Sequence, residues 1–551
     1  MNRRSFLHNS LWLSILASLP KPSIALEKQW IFTKIPTPNP ISNIDEVASL
    51  DFNGDDISRP HDLLWNKEGY IASKGGLPKE IETLRLVVIG GGIAGLSSAY
   101  FLRDMKPVVL EGAPQFGGNS KGEKIGSTAF SIGAAYIVKP DEGSAVEKFL
   151  QELELADQFK QEEGDNLSVL FSGKLQKPFW EGATAPQSRE DFVKIQDAFK
   201  RILEEQYPEI PYAPETGLSK ELFDKWDSMS FSQWLQEEFG SIHPHVEEYL
   251  QLYAWSSFGA SLSEISAAQM LNFITSETDT ILALPGGNAA ITERLYTRLE
   301  KELGTANLRG NCFVIDIQTN MAGVSILYEN GEGQLKSIQA KACIFAGPKF
   351  VASKLISQMP EDQRKAMESI KYRAYIVANV LLKQKIISPT YDLYCLKGQV
   401  PPDPTPMNPG DRKFTDVCFG TWAAEPNADR GVITVYKALP YDGARQFLFS
   451  PLAHTKNKSQ IESQLPELLA TLNLTPADID GIRLTRWGHC VPVAQVGALS
   501  NGLAETASQC IENRIVFANQ DNYLNPAFES AFAAAQAAAN QIRQISPSLF
   551  W

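Results

Sequence analysis

Positive charge is in short supply in this chain. Its 551 residues carry 51 Lys and Arg against 64 Asp and Glu, a formal net charge of −13, and the basic residues nowhere form a cluster. Binding to nucleic acid rests on neutralising phosphates, so this balance argues against such a partner. Histidine and cysteine are scarce too, at six each. The close pair His243 and His245 has no third ligand spaced near it, so no metal site is assigned. Cys312, Cys343, Cys395, Cys418, Cys490 and Cys510 form no C-x-x-C. Several stand in apolar strand contexts, so buried thiols are expected, with a disulfide left open in an oxidising compartment. Long apolar runs are also missing. The stretch 11–19 falls far short of the roughly twenty residues that span a bilayer.

What is present is most concentrated in residues 86–111. An apolar strand runs into Gly90-x-Gly92-x-x-Gly95, a helix follows, and a second apolar strand ends in Glu111. Gly90 permits the turn out of the strand, and Gly92 lets backbone approach a pyrophosphate lying on the helix N-terminus, where Ile93 and Ala94 open the first turn. Gly95 allows the helix to pack closely on the strand. Glu111, at the tip of the second strand, is placed to accept hydrogen bonds from both hydroxyls of an adenosine ribose, which argues against a 2′-phosphate. This is one βαβ unit for an ADP-containing dinucleotide.

The continuation separates FAD from NAD. Glu111 is followed by Gly112 and then by Gly117-Gly118-Asn119-Ser120, which resembles the E-x(5)-GG-x-S signature of the flavin amine oxidase superfamily, the group of monoamine oxidases, L-amino-acid oxidases, protoporphyrinogen oxidase and phytoene desaturase. Further pieces follow in that superfamily's order. The turn Gly133-Ala134-Ala135-Tyr136 resembles its segment beside the flavin, Leu284-Pro285-Gly286-Gly287 its PGG element, and the strand containing Val314 its adenine-side strand. Arg486-Trp487-Gly488 and Phe517-Ala518-Asn519-Gln520-Asp521 resemble its closing elements.

The resemblance covers nearly all of residues 83–545 and implies non-covalent FAD. It also implies an α/β fold, in which a Rossmann-like FAD-binding domain of three ββα layers is built from discontinuous segments beside a mixed-sheet and helical substrate domain. Asn119 and Gln520 replace the usual arginine and acid, yet an amide still bonds a ribityl hydroxyl or phosphate oxygen. Ala527 stands where amine oxidases carry a cage tyrosine. No cysteine follows Trp487 at the spacing of a thioether link; Cys490 is too close. By resemblance, Lys354, with Lys349 as a competitor, is the lysine that holds a water near flavin N5. The helix opening at Phe528 aims its positive N-terminus at the flavin pyrimidine edge, with Ala527 and Phe528 beside it.

Organisation follows from these anchors. Asn2-Arg3-Arg4-Ser5-Phe6-Leu7, the apolar run 11–19 and Ser23-Ile24-Ala25 read as a twin-arginine signal over 1–25, which predicts export of folded protein to the periplasm or beyond by the twin-arginine machinery, with no integral membrane segment after cleavage. Residues 26–83 read as an extended leader. Residues 84–160, 281–350 and 481–551 make the FAD domain, and 161–280 with 351–480 the substrate domain. Within the latter, the aromatics of 161–280 suit a helical cap, although ordinary helix packing accounts for most of them, and 372–382, 415–422 and 431–439 read as strands. The closing helix is expected over 530–542. The function expected is hydride transfer from an amine or related C–H donor of a small substrate to flavin N5, with dioxygen reoxidising the flavin to give hydrogen peroxide. A desaturase of an apolar ring or polyene with another acceptor, or a flavin-binding protein with little turnover, stays open.

Overall fold

The computed structural model describes residues 38–549, apart from 57, 208–209, 213–217, 409, 411–413 and 425. The twin-arginine segment and the first part of the leader lie outside the described residues.

The strand Ile81–Ile89 is the axis of the first sheet. Its apolar end sends Leu86 and Val88 into one core and Val87 and Ile89 into another, the two-sided burial that a strand inside a parallel sheet requires. It pairs in parallel with Val108–Leu110 on one side and with Leu335–Phe345 on the other. Leu308–Arg309 and Ile515–Phe517 add further parallel strands, and Phe313–Asn320 with Gly323–Glu329 adds an antiparallel hairpin. Helices Ile93–Phe101, Asn288–Leu303 and Phe528–Leu549 cover one face through Leu96, Ile291, Leu295, Phe532 and Ile542.

The second sheet has eight strands, in the order Lys174–Gln176, Val169–Phe171, Asp392–Leu396, Asp416–Cys418, Val432–Leu439, Tyr372–Leu382, Ile479–Pro492 and Asn53–Gly54. The helices Arg189–Glu205, Lys220–Asp227, Phe231–Phe239, Pro244–Phe258 and Ala267–Asp279 form the cap, whose core is strongly aromatic: Phe179, Trp180, Phe192, Phe199, Phe231, Trp234 and Tyr249. The chain enters and leaves this cap through Lys160–Glu163 and Thr280–Ala283, which pair with each other.

Three expectations need correction. The leader is not merely extended. It contains helices Ser58–Trp65 and Lys67–Ser73, because Leu63 packs against Ile315 and Leu327, with Tyr70 and Ile71 beside it. The first FAD-side strand opens at Ile81, before residue 84, and Ile479–Pro492 belongs to the second sheet, since its partner is Tyr372–Leu382, so the chain rejoins the first sheet later than residue 481. The closing helix is longer than 530–542 at both ends, spanning Phe528–Leu549.

A buried ion pair ties these parts together. Arg483, in the second sheet, donates from Nε to Glu123 Oε2 at 2.6 Å and from Nη2 to Oε1 at 2.9 Å, and the leader's Asn53 Nδ2 donates to the same Oε1 at 2.8 Å. Both charged side chains are less than a tenth exposed. Removing one partner strands the other, so Glu123→Ala is expected to lower unfolding free energy by about 3–5 kcal/mol. Urea unfolding checks this; a loss under about 1 kcal/mol would mean that Arg483 finds other partners.

Candidate functional site

A single cavity of about 530 Å³ runs between the two sheets and the cap. Its dinucleotide end is built by the glycine turn. Gly90 has φ of +110°, a region that disfavours side chains, and a Cβ on Gly95 would fall 1.9 Å from Gly90 O, so helix and strand approach as closely as they do only because both are glycine. Gly92, Ile93 and Ala94 line the cavity at the helix N-terminus, and Gly118 presses its Cα against Gly92. Glu111 lines the same end, its Oε2 accepting the Gly91 N–H and its Oε1 the Ala113 N–H, each at 2.7 Å. Gly112, Gly117, Asn119, Gly133, Ala134, Val314, Gln520, Ala527 and Phe528 all line this cavity too, and Gly95 stands behind it as packing. Residues spread along most of the chain thus converge on one elongated space with a backbone-lined floor and a carboxylate at its end, which fits a flavin dinucleotide.

The turn beside that floor is held from the second sheet. Tyr436 Oη donates to Gly133 O at 2.9 Å, Trp487 Nε1 to Ile132 O at 2.9 Å, and Asn379 Nδ2 to Ser131 O at 3.0 Å. Asn119 Nδ2 donates to Cys490 O at 2.9 Å, so its amide is spent on an inter-sheet contact.

Lys354 is not at the site. It sits on the outer side of helix Lys349–Leu355, more than half exposed and paired with Glu368, while Val351 and Leu355 supply the face that lines the cavity. The competitor Lys349 is fully buried and donates from Nζ to Asn522 Oδ1; burial lowers its ammonium to about 8 against the pull of Asp521. Asp521 accepts the Lys349 N–H at 3.0 Å and the Tyr372 hydroxyl at 2.5 Å, and burial raises its carboxyl.

Several lining residues escaped the sequence reading. Asp55 comes from the leader, where Asn53–Gly54 docks parallel to Ile479–Pro492; its Oδ2 accepts the Gly488 N–H at 2.7 Å, and burial raises its carboxyl. Nothing local in sequence marks it. Glu277 and Asp416 come from Ala267–Asp279 and Asp416–Cys418, and their polar sequence neighbours gave no local signal. With Tyr136, Phe273, Tyr375, Tyr436 and Phe528 they wall a chamber at the far end of the cavity. Burial pushes the carboxyls of Glu277, Asp416 and Glu529 up to about 7, and burial lowers the His489 imidazole to about 4. Cys418 and Cys490 also line the cavity, and burial raises both thiols, which keeps them protonated. Cys312, Cys343 and Cys418 are buried free thiols, as their strand contexts suggested. Among the described residues no group of three His, Cys, Asp or Glu is arranged to hold a metal, and no helix is long and apolar enough to cross a membrane.

A glycine-turn βαβ unit in a mixed sheet, a second sheet beneath an aromatic cap, and one cavity between them define a Rossmann-like flavoenzyme. The sequence profile of the flavin-containing amine oxidoreductases matches residues 93–543, and the chain belongs to that family. It is 24% identical over 511 residues to the oxidoreductase PigB of Serratia sp. (strain ATCC 39006), covering 83% of this chain and 75% of that protein. It is 23% identical over 357 residues to an L-amino-acid oxidase of Demansia vestigiata, covering 60% of this chain and 64%, just under two thirds, of that enzyme. Among solved structures, wild-type putrescine oxidase bound to putrescine superposes with a TM-score of 0.60 at 16% identity, covering 84% of this chain and all of that one. At that identity the likeness establishes the fold alone, and it agrees with the α/β architecture expected.

Glu529 offers a clean test of the chamber's electrostatics. It is buried in the first turn of the closing helix, and its Oε1 accepts the Val138 N–H at 3.0 Å. Its folded carboxyl is raised to about 7 from an ordinary 4.5, so between those values the native state binds the extra proton and wild-type stability falls as pH rises. Glu529→Gln, which keeps an acceptor but cannot ionise, should gain on wild type by up to about 3 kcal/mol as pH goes from 4.5 to above 7. Urea unfolding of both proteins at pH 5 and pH 8 reads this directly, and a pH-independent difference would refute it.

Proposed function

We propose that this chain binds FAD without covalent attachment and oxidises a small amine, taking hydride from the carbon next to nitrogen. The observation that carries the reading is the lining charge. Asp55, Glu111, Glu277, Asp416, Asp521 and Glu529 face the cavity, Lys121 is the lysine among the lining residues, and no arginine is among them. A cation entering the chamber meets opposite charge, whereas a substrate carboxylate finds no guanidinium to bind it. This favours an amine over an L-amino acid, and over the uncharged ring or polyene of a desaturase. Bound FAD supplies the hydride acceptor at N5 and the route by which dioxygen leaves as hydrogen peroxide.

The chain's own residues do the remainder. Gly92, Ile93 and Ala94 present the helix N-terminus to the pyrophosphate, and Glu111 meets the ribose. The positive end of helix Phe528–Leu549, at Ala527 and Phe528, favours negative charge on the pyrimidine edge. Tyr136, Tyr375 and Tyr436 exclude water from the chamber and orient the substrate against the flavin-side turn that Tyr436 holds. The raised thiol of Cys490 leaves no thiolate to attack the flavin ring, which supports dissociable FAD.

Anaerobic mixing tests the reading. Primary amines are expected to bleach the flavin band and L-amino acids to leave it unchanged, and heat should release FAD from the protein. Bleaching by amino acids instead, or release of FMN, would overturn it. We also propose export of the folded, flavin-loaded chain, supported by Arg3-Arg4, the short apolar run and Ser23-Ile24-Ala25. Replacing Arg3 and Arg4 with lysine should then hold precursor in the cytoplasm, because the receptor reads guanidinium pairs; unchanged fractionation would remove the assignment.

A further inference from the structure

Glu277 has so far entered only as part of the lining charge. The helix Ala267–Asp279 buries nearly every residue, and Glu277, near its end, is carried inward, whereas Asp279 points to solvent. Its Oε2 accepts a hydrogen bond from Tyr253 Oη at 2.6 Å. Its Oε1 is shut away from solvent and accepts no hydrogen bond of ordinary length among the described residues, the competing donor being the Tyr136 hydroxyl, which with Tyr253 favours the ionised carboxyl. The side chain also stands at a junction, lining both the main chamber and a recess of about 50 Å³ behind it. The titratable groups facing it are Tyr136, Tyr253, Tyr249, Tyr394, Asp392, Asp416 and Glu529, and none is basic. A buried carboxylate oxygen without a donor is unfavourable, and the surrounding acids make a cationic donor the fitting one.

We propose that Glu277 receives the ammonium group of the substrate and takes its proton, so that the neutral amine is formed inside the chamber. This rests on the amine reading above. One N–H bond breaks, its electron pair stays on nitrogen, and the proton becomes the O–H of Glu277; no oxidant enters this step. The neutral amine is the form whose lone pair assists loss of hydride from the adjacent carbon. Burial drives the proton the same way from both sides, because desolvation weakens the hold of the ammonium on it and strengthens that of the carboxylate. Tyr253 occupies Oε2, so Oε1 is the oxygen an incoming N–H must reach, in place of the Tyr136 hydroxyl beside it. Asp416 likewise has one oxygen, Oδ1, accepting from Thr415 Oγ1, but unlike Glu277 it has no buried oxygen left without a partner.

Glu277→Gln keeps the shape and removes the proton acceptor. The probes are benzylamine, n-butylamine and cyclohexylamine, with benzyl alcohol, n-butanol and cyclohexanol as uncharged counterparts, titrated calorimetrically into FAD-loaded protein at pH 8 in two buffers of different ionisation enthalpy. For at least one amine, the wild type should bind with no net proton release, because the proton moves only from ligand to Glu277. The variant should bind that amine tenfold or more weakly and release about one proton to buffer, with alcohol affinity changed by less than twofold. A purely structural role would not move the proton count. Equal amine affinity and equal proton count in the two proteins overturn the proposal, as does failure of all three amines to bind wild type. It is equally overturned if Asp416→Asn, and not Glu277→Gln, produces the proton release. Amine binding that follows these expectations without anaerobic bleaching would leave the role of Glu277 standing and remove the oxidase reading.

Discussion

Burial of carboxylates that outnumber the cations beside them is the constraint around which this site is built. A carboxylate withdrawn from water needs donors, a proton or a counterion. At the dinucleotide end the chain supplies donors: Glu111 accepts two backbone N–H groups, Asp55 one, and Asp521 a backbone N–H and a tyrosine hydroxyl. At the chamber end each carboxyl has one such donor, Tyr253 for Glu277, Thr415 for Asp416 and the Val138 N–H for Glu529, and burial still raises all three to about 7. The first arrangement is rigid and suits a resident cofactor. The second is incomplete until something positive arrives, which suits a substrate that comes and goes.

The two sheets are joined so as to keep that division. Hydrogen bonds from Tyr436, Trp487 and Asn379 fasten the turn at residues 131–133 to the second sheet, so the floor of the dinucleotide end and the wall of the chamber cannot shift independently. The leader closes the remaining gap. Asn53 reaches Glu123, which pairs with Arg483, and Asp55 caps the Gly488 N–H. A segment whose composition suggested only a surface wrap thereby contributes a carboxylate to the cavity.

What was legible in the sequence was what local physics encodes. Period-two burial on both faces of Ile81–Ile89, the glycines that permit its close turn, and the apolar strands Tyr372–Leu382 and Val432–Leu439 are readable from residue types alone. The residues expected at the dinucleotide line the cavity with the exception of Gly95, which packs behind it. The placing of Lys354 was not legible. Spacing along the chain favoured Lys354, but the phase of helix Lys349–Leu355 turns Val351 and Leu355 inward and Lys354 out. Asp55 was hidden because its neighbours in space, Gly488 and His489, are distant in sequence. Glu277 and Asp416 stand beside polar residues, Ser276, Thr278 and Thr415, and an acid in such a setting reads as exposed until its phase against the neighbouring elements is known.

Chemistry within this family therefore has to be argued from the lining, because the fold is shared by enzymes whose names specify different substrates. The relatives include L-amino-acid oxidases, and the structural neighbours include putrescine oxidase. Both substrate kinds bring an amino group, and they differ by a carboxylate. In a partly wet protein site, two unit charges about 4 Å apart interact by about 4 kcal/mol, attractive or repulsive according to sign. A chamber already holding Glu277, Asp416 and Glu529, with no arginine among its lining residues, turns that magnitude against a substrate carboxylate and in favour of a lone ammonium. Proton uptake by the three carboxyls softens the repulsion at acid pH, but above about 7 they ionise and the discrimination is at its strongest. On the amine reading proposed above, the same titration that destabilises the fold as pH rises sharpens the preference for a cation.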